Sequence, residues 1–237
     1  MTSTCSQLRG KGRADLRGRW TEAAMLTFVL AVVTFFVSGI GSAIDIAVFG
    51  PGKLGLTTDA GALFLLSGNT TNRFSFLASL LLLPMGWGYT VAFLGNRRAG
   101  SDDPFGPGNL FSGYRDFCRV FGTMLIAALF EFLFYMLLII PGIWMEMRLA
   151  MVPYILRDYP ELSYNKALRL SADMMQGHKW KLFCLELSFL GWILLCIPTL
   201  GIGLLWLCPY MCQTMANFYE EVKAEYEGTQ EECAFTI

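Results

Sequence analysis

Four ionisable residues within apolar stretches are the side chains of this sequence best placed to do chemistry. Glu131 and Glu186 each lie in a run of apolar residues, and Glu146 and Arg148 lie together in another. An ionisable group inside a membrane costs several kcal/mol unless it is paired or neutralised, so such residues mark ion, proton or substrate sites by default. The structural alternative is an ion pair between Glu131 and Arg148 that holds two adjacent helices together. The sequence leaves both interpretations open.

Histidine and cysteine limit the remaining chemistry. The single histidine, His178, excludes zinc sites that need two imidazoles, and the Lys179 and Trp180 that follow it are typical of a membrane interface. An imidazole at that position could alternatively handle protons. Cys208 and Cys212 have helical spacing but no second pair of ligands, so we expect them to be packing residues. We predict no metal site, no cofactor and no catalytic group.

Long apolar segments must position these residues. The 237 residues are 54% hydrophobic and 16% charged, whereas soluble domains carry about 25% charged residues. We therefore predict an all-α polytopic bundle with short amphipathic helices at the membrane interface. Its membrane domain covers residues 20–222, between a basic tail at 1–19 and a C-terminal tail at 223–237. The six predicted spans are approximately 20–42, 74–95, 120–140, 142–157, 181–197 and 200–220.

The distribution of basic residues predicts the orientation. All but three of the 18 Lys and Arg residues lie in segments that the six-span arrangement places in the cytoplasm, as expected when both termini are cytoplasmic. The exceptions are Lys53, Arg73 and Arg148. The fourth span is short, but without it the basic residues between 157 and 181 would lie outside and the bias would nearly vanish. The charge pattern therefore favours six spans.

A repeated pattern of prolines predicts helix turns and packing positions. LLIIPG at 137–142 and LLCIPT at 194–199 each precede a Pro-Tyr pair by a similar distance. The pattern is consistent with a duplicated hairpin, although Leu-rich segments that end at proline also arise by chance in membrane proteins. The residues concerned are Pro141, Gly142, Pro198, Pro209 and Tyr210.

Several segments from Leu137 onward resemble the domain of unknown function 975 family, a bacterial family of integral membrane proteins. The matching segments are IPGI at 140–143, RLAMVPYILRDYPELS at 148–163, LSFLGW at 187–192 and LLWLCPYMCQTMANFYEE at 204–221. The resemblance implies a multi-pass protein of the bacterial plasma membrane. It implies no activity.

These observations favour a non-enzymatic interaction, stress-response or immunity-type factor. Its expected partners are the lipid bilayer and other membrane proteins or a second copy of itself. Nucleic acid is not expected, because the basic residues flank apolar runs rather than forming one face. The alternative is a transporter or channel component in which Glu131 and Glu186 line a wet cavity. A membrane-embedded enzyme acting on lipid is less favoured, since no acids and nucleophile converge in the sequence.

Overall fold

Helices form the regular structure of this chain, and no strand occurs among the residues that the computed structural model describes. These residues are 3–49, 77, 80–98, 105–196, 198, 199 and 201–235. Most of the segment between the first two predicted spans, with Lys53 and Arg73, most of the first turns of the second span and the last two residues of the C-terminal tail lie outside this set. The all-α prediction is confirmed for the described residues.

The helices follow one another with short connections. They are α1 (Cys5–Asp15), α2 (Trp20–Phe49), α3 (Leu83–Arg97), α4 (Pro107–Leu110), a 3-10 turn (Ser112–Tyr114), α5 (Phe117–Leu137), α6 (Ile139–Leu149), α7 (Val152–Asp158), α8 (Tyr164–Met174), α9 (Lys179–Cys196) and α10 (Leu204–Phe235).

Three helical segments of the described part are long and apolar enough to cross a membrane. They are Trp20–Ile44, Phe117–Leu137 and Ile139–Asp158. The third segment contains α6, α7 and the short turn between them, so the short span predicted at 142–157 belongs to a longer apolar segment. These three helices indicate a membrane protein, and the remaining predicted spans stay predictions.

Exposed apolar side chains support the same conclusion. Residues Leu137 to Ile140, at the tip of the hairpin formed by α5 and α6, are each 63–79% exposed. Contiguous apolar surface of this kind is unfavourable in water and suits contact with lipid or another protein. The hairpin tip is therefore consistent with insertion into a bilayer.

The structure corrects the position of the turn in this hairpin. The turn was predicted at Pro141 and Gly142, but the chain turns at Leu138, whose backbone is extended (φ −168°, ψ 148°). Pro141 lies in the first turn of α6, where the missing N–H of proline costs no helical hydrogen bond. Gly142 packs against the ring of Tyr135 from α5. Proline here marks the beginning of the second helix rather than the turn.

Both predicted tails contain helix. α1 forms within the basic N-terminal segment, and its Gly12 lies against Thr214 of α10. α10 continues to Phe235, well into the predicted C-terminal tail. The N-terminal helix therefore packs against the part of α10 that precedes the predicted tail.

Tight packing fixes α3 at the centre. The indole nitrogen of Trp87 donates a 2.8 Å hydrogen bond to the carbonyl oxygen of Pro153 at the start of α7. A Cβ atom at Gly88 would lie only 2.5 Å from the carbonyl oxygen of Leu110. The rings of Tyr154 and Tyr219 stack with centroids 5.0 Å apart and are almost fully buried. α3, α7 and α10 thus form a packed core beneath the charged residues at its end.

Candidate functional site

Asp158, at the end of α7, is the centre of a charged network. Its side chain is only 4% exposed. Arg98 donates two hydrogen bonds to its carboxylate, at 2.6 and 2.7 Å. Lys223 and the hydroxyl of Tyr219 donate two more, at 2.7 and 2.8 Å. Charge-assisted bidentate pairs are among the strongest hydrogen bonds in proteins. Since the partners of Asp158 come from two other helices, this carboxylate holds three helices together.

Helical spacing explains how α10 contributes to this network. Tyr219 and Lys223 are four residues apart and therefore lie on one face of the helix. Burial alone would lower the pKa of Lys223, but its hydrogen bond to Asp158 and the negative charges of Asp158 and Glu227 together outweigh burial and raise the pKa. Arg98, just after α3, also donates a 2.7 Å hydrogen bond to Glu220. The network thus fixes the end of α3 and the end of α7 to the middle of α10.

A second carboxylate attaches the N-terminal helix. Glu221 accepts hydrogen bonds from Lys11 of α1 at 3.1 Å, from Lys181 of α9 at 3.0 Å and from the hydroxyl of Ser3. Burial raises the pKa of Glu221, but these hydrogen bonds outweigh burial and lower the pKa to about 2. The carboxylate is therefore ionised at neutral pH and holds α1 and α9 against α10.

A layer of amide side chains extends these contacts towards the core. Asn96 donates to Gln213 at 2.8 Å and to the backbone carbonyl of Asp15 at 3.3 Å, and it accepts a hydrogen bond from Arg19 at 3.1 Å. Asn217 donates to the carboxylate of Asp15 at 2.8 Å. Because buried polar groups are costly unless hydrogen-bonded, this layer determines how α1, α3 and α10 fit together.

Two arginines bind backbone carbonyl groups around α7. Arg119 of α5 donates to the carbonyl oxygens of Leu156 at 3.0 Å and Pro160 at 2.8 Å, near the end of α7. Arg157 donates to the carbonyl oxygen of Val91 in α3. The last carbonyls of a helix lack helical partners and favour cations. Arg119 thus stabilises the end of α7, beside Asp158, whereas Arg157 connects α7 with α3.

The predicted intramembrane acids lie close to one another. Glu146, on α6, accepts a hydrogen bond from the hydroxyl of Tyr135 on α5 and interacts electrostatically with both Glu131 and Glu186. Glu131 and Glu186 are half-buried, whereas Glu146 is exposed. The structure therefore brings three of the four predicted residues together.

The ion pair predicted between Glu131 and Arg148 is absent from the described residues. Arg148 is two positions beyond Glu146 on α6, a rotation of about 200° around a helix. Its side chain therefore leaves the helix on the opposite side from the acids. Its backbone carbonyl accepts a 2.7 Å hydrogen bond from Ser171 on α8. Arg148 therefore lies beside α8 and α9 and does not pair with Glu131.

The residues predicted at the interface begin α9. Nε2 of His178 lies 3.6 Å from the carboxylate of Glu225 on α10. Nζ of Lys179 lies 4.4 Å from the ring centroid of Trp144, a cation–π contact. Trp180 is exposed. Their location at a membrane interface stays a prediction.

Two of the predicted proline positions have different roles. Pro198 lies in the turn between α9 and α10, as predicted, whereas Pro209 lies inside α10. Tyr210, which follows Pro209, packs against Trp20 with ring centroids 6.3 Å apart and donates a 3.2 Å hydrogen bond to the carbonyl of Arg9. Tyr210 is therefore a packing residue that connects α10 with the N-terminal region.

Sequence reasoning missed the network around Asp158. Apart from His178 and Lys179, the sequence analysis considered only charges inside apolar runs as sites. The charged residues of this network border such runs instead: Arg98, Asp158 and Lys223. The available signal was the segment RLAMVPYILRDYPELS, in which Asp158 stands. Among the described residues, no group of three or more His, Cys, Asp or Glu side chains could hold a metal ion.

The comparisons with known proteins agree with the motifs. The family described as a protein of unknown function, DUF975, matches residues 110–226, about half of the chain. This region includes Asp158, Tyr219 and Glu221, whereas their partners Arg98 and Lys11 lie before it. None of the curated proteins and none of the solved structures matches the chain.

Proposed function

We propose that this chain, which belongs to the DUF975 family over residues 110–226, is a non-enzymatic docking protein of the bacterial plasma membrane. In this proposal the six-span arrangement with cytoplasmic termini places the network around Asp158 on the cytoplasmic side. The observation that carries the proposal is the part of α10 after the network, where most of the side chains from 224 to 230 are exposed and include Glu225 and Glu227. We infer that this helix binds a basic segment of a partner protein.

The length of α10 supports the proposal. Its 32 residues span about 48 Å at 1.5 Å per residue. Among the side chains described up to residue 230, Val222 is the last fully buried one, and most of those from 224 to 230 are exposed. The charged network therefore anchors the helix at its middle, which leaves the following turns accessible to a partner.

The charge of the projecting turns identifies the chemistry of the partner. Glu225 and Glu227 have side chains 49% and 52% exposed, and the sequence adds Glu231 and Glu232. Acidic residues near the C-terminal end of a helix interact unfavourably with its dipole. A basic partner would offset this repulsion and steer association electrostatically. A basic, extended or helical segment is therefore the expected ligand.

Photo-crosslinking in intact membranes tests the docking proposal. We expect a photoreactive amino acid at the exposed Thr229 to give a discrete protein adduct. The double substitution Glu225→Lys and Glu227→Lys should reduce the adduct at least tenfold, because it replaces attraction with repulsion. Glu161→Lys, which reverses an exposed charge on the segment before α8, should leave the adduct unchanged.

Three outcomes would contradict this proposal. The photoreactive amino acid at Thr229 could give no more adduct than the same amino acid at the exposed, apolar position Leu194. The adduct could also persist after the charge reversal. Finally, the adduct could contain lipid instead of protein. An adduct of twice the mass of the chain would identify the partner as a second copy. Equal melting temperatures of the variants would show that a loss reflects binding rather than unfolding.

The grouped acids favour a second candidate function, a transporter or channel component. Glu131, Glu146 and Glu186 lie near one another without a basic partner among the described residues, as expected of a cation or proton path. In a background without the native cysteines, we expect Glu131→Cys and Glu186→Cys to resist a membrane-impermeant thiol reagent under the docking proposal. The labelling of Phe189→Cys, at a buried position of α9, shows how much reagent a protected site takes up. Strong labelling of both acid positions would instead favour transport.

A further inference from the structure

An apolar groove runs between α6 and α9. Its volume is about 300 Å³. The residues that line it are apolar apart from the amine of one lysine and the indole nitrogens of two tryptophans. They are Ile140, Ile143, Trp144, Met147, Lys179, Trp180 and Phe183. A groove of this composition on a membrane protein suits a hydrocarbon chain.

A polar hollow lies next to the groove. The two spaces adjoin, since both are lined by Trp144, Lys179 and Trp180. The hollow adds Arg148 from α6 and Gln176 from the segment after α8. A ligand that fits both spaces must be apolar at one end and polar at the other.

The charge of the hollow is positive. Neither Arg148 nor Lys179 has a carboxylate partner within 4 Å in the described part of the chain. Burial, followed by the nearby charge of Arg148, lowers the pKa of Lys179. Two neighbouring cations repel each other, and an anion between them would remove the repulsion. The hollow is therefore complementary to a negatively charged head group.

The tryptophans indicate the depth of the hollow. Trp144 and Trp180 are both exposed and line the groove as well as the hollow. Indole rings are enriched where the hydrocarbon of a bilayer meets the head groups. Basic pockets between membrane helices at this depth are suited to anionic lipid head groups.

We propose that this site binds an anionic phospholipid, with one acyl chain in the groove and its phosphate between Arg148 and Lys179. The proposal requires only that the protein is embedded in a membrane. It does not depend on a docking partner at α10. The lipid would connect α6 with α9, whose mutual contacts border the groove.

Native mass spectrometry of the full chain in detergent tests the proposal with two probes, phosphatidylglycerol and phosphatidylcholine. We expect the intact protein to prefer phosphatidylglycerol. The double substitution Arg148→Gln and Lys179→Gln should weaken phosphatidylglycerol binding by roughly 10- to 30-fold and leave phosphatidylcholine binding unchanged. The matched control, Lys166→Gln with Arg169→Gln, removes two exposed charges from α8 and should keep the preference.

A second variant tests the groove itself. Ile143→Trp fills the apolar space without changing the charge, and it should weaken phosphatidylglycerol binding several-fold. Inorganic phosphate at millimolar concentration should not compete, because it lacks the acyl chain. Competition by phosphate together with normal binding by Ile143→Trp would mean a simple anion site and would overturn the proposal.

A measurement on the unaltered protein covers the possibility that a variant fails to fold. A photoactivatable phosphatidylglycerol with its reactive group on the acyl chain should label the peptides that contain residues 140–147 and 179–183. Labelling confined to other helices, or equal binding of both lipids by the unaltered protein, would also overturn the proposal.

Discussion

Replacing Asp158 with Asn is expected to destabilise the protein by about 3 kcal/mol and to lower its melting temperature in detergent by roughly 10 °C. The carboxylate accepts four hydrogen bonds from Arg98, Lys223 and Tyr219. Asparagine keeps the shape of the side chain but loses its charge and one acceptor oxygen. Two cations and a hydroxyl would then face a neutral amide at a nearly inaccessible position.

The size of this effect follows from the burial of one partner. Asp158 is 4% exposed, whereas Arg98 is 38% exposed. An unpaired arginine can partly rehydrate, so the expected loss lies at the lower end of that for a fully buried ion pair. Lys223 keeps a weaker contact with Glu227 at 3.8 Å. We therefore expect a large decrease in stability but not the complete loss of the folded protein.

Asp116→Asn provides the matched control. Asp116 is 67% exposed and lies 3.7 Å from Arg119, three residues along the chain. Exposed pairs of this kind contribute little, so the melting temperature should change by no more than about 1 °C. An equally small change for Asp158→Asn would show that the network does not hold the helices together. In a double-mutant cycle, Arg98→Gln should add little to Asp158→Asn, because both substitutions break the same pair.

The apolar runs of the sequence were sufficient to predict a helical membrane protein. The network around Asp158 could not be predicted in this way, because it depends on which helices pack side by side. Arg98 and Asp158 are 60 residues apart and border different helices. Their pairing requires α3 to lie beside α7, which depends on contacts such as that between Trp87 and Pro153. Sequence reasoning paired Glu131 with Arg148 because long side chains on the two helices of a hairpin could reach each other at these positions. It did not consider that Arg148 leaves its helix on the other side.

Proline shows the same limit of local patterns. The repeated Leu-rich segments predicted similar turns, yet Pro141 begins a helix whereas Pro198 lies in a turn. Of the two Pro-Tyr pairs, Pro153 opens α7 and Pro209 lies inside α10. Proline is compatible with the first turn of a helix and also with the interior of a membrane helix. The residue type alone therefore does not distinguish these positions.

Gly88→Ala is the second substitution expected to have a large effect. A Cβ atom at Gly88 would lie 2.5 Å from the carbonyl oxygen of Leu110 and 2.6 Å from that of Asn109. Both oxygens belong to the backbone of α4, so no side-chain rotation can make room. α3 and α4 would have to separate, and we expect a loss of about 3 kcal/mol, the upper range for overpacking. Thermal unfolding in detergent, followed by tryptophan fluorescence, should show a melting temperature lower by roughly 10 °C.

Gly86→Ala on the same helix separates crowding from the loss of a glycine. No atom lies within 4 Å of the position that a Cβ would occupy at Gly86. Alanine favours helix over glycine by up to about 1 kcal/mol, so this variant should melt at the same temperature or slightly higher. Arg98 follows the end of α3 directly. A displacement of α3 in Gly88→Ala should therefore also weaken the hydrogen bonds of Arg98 in the charged network. Similar melting temperatures for the two variants would show that α4 yields easily and does not position α3.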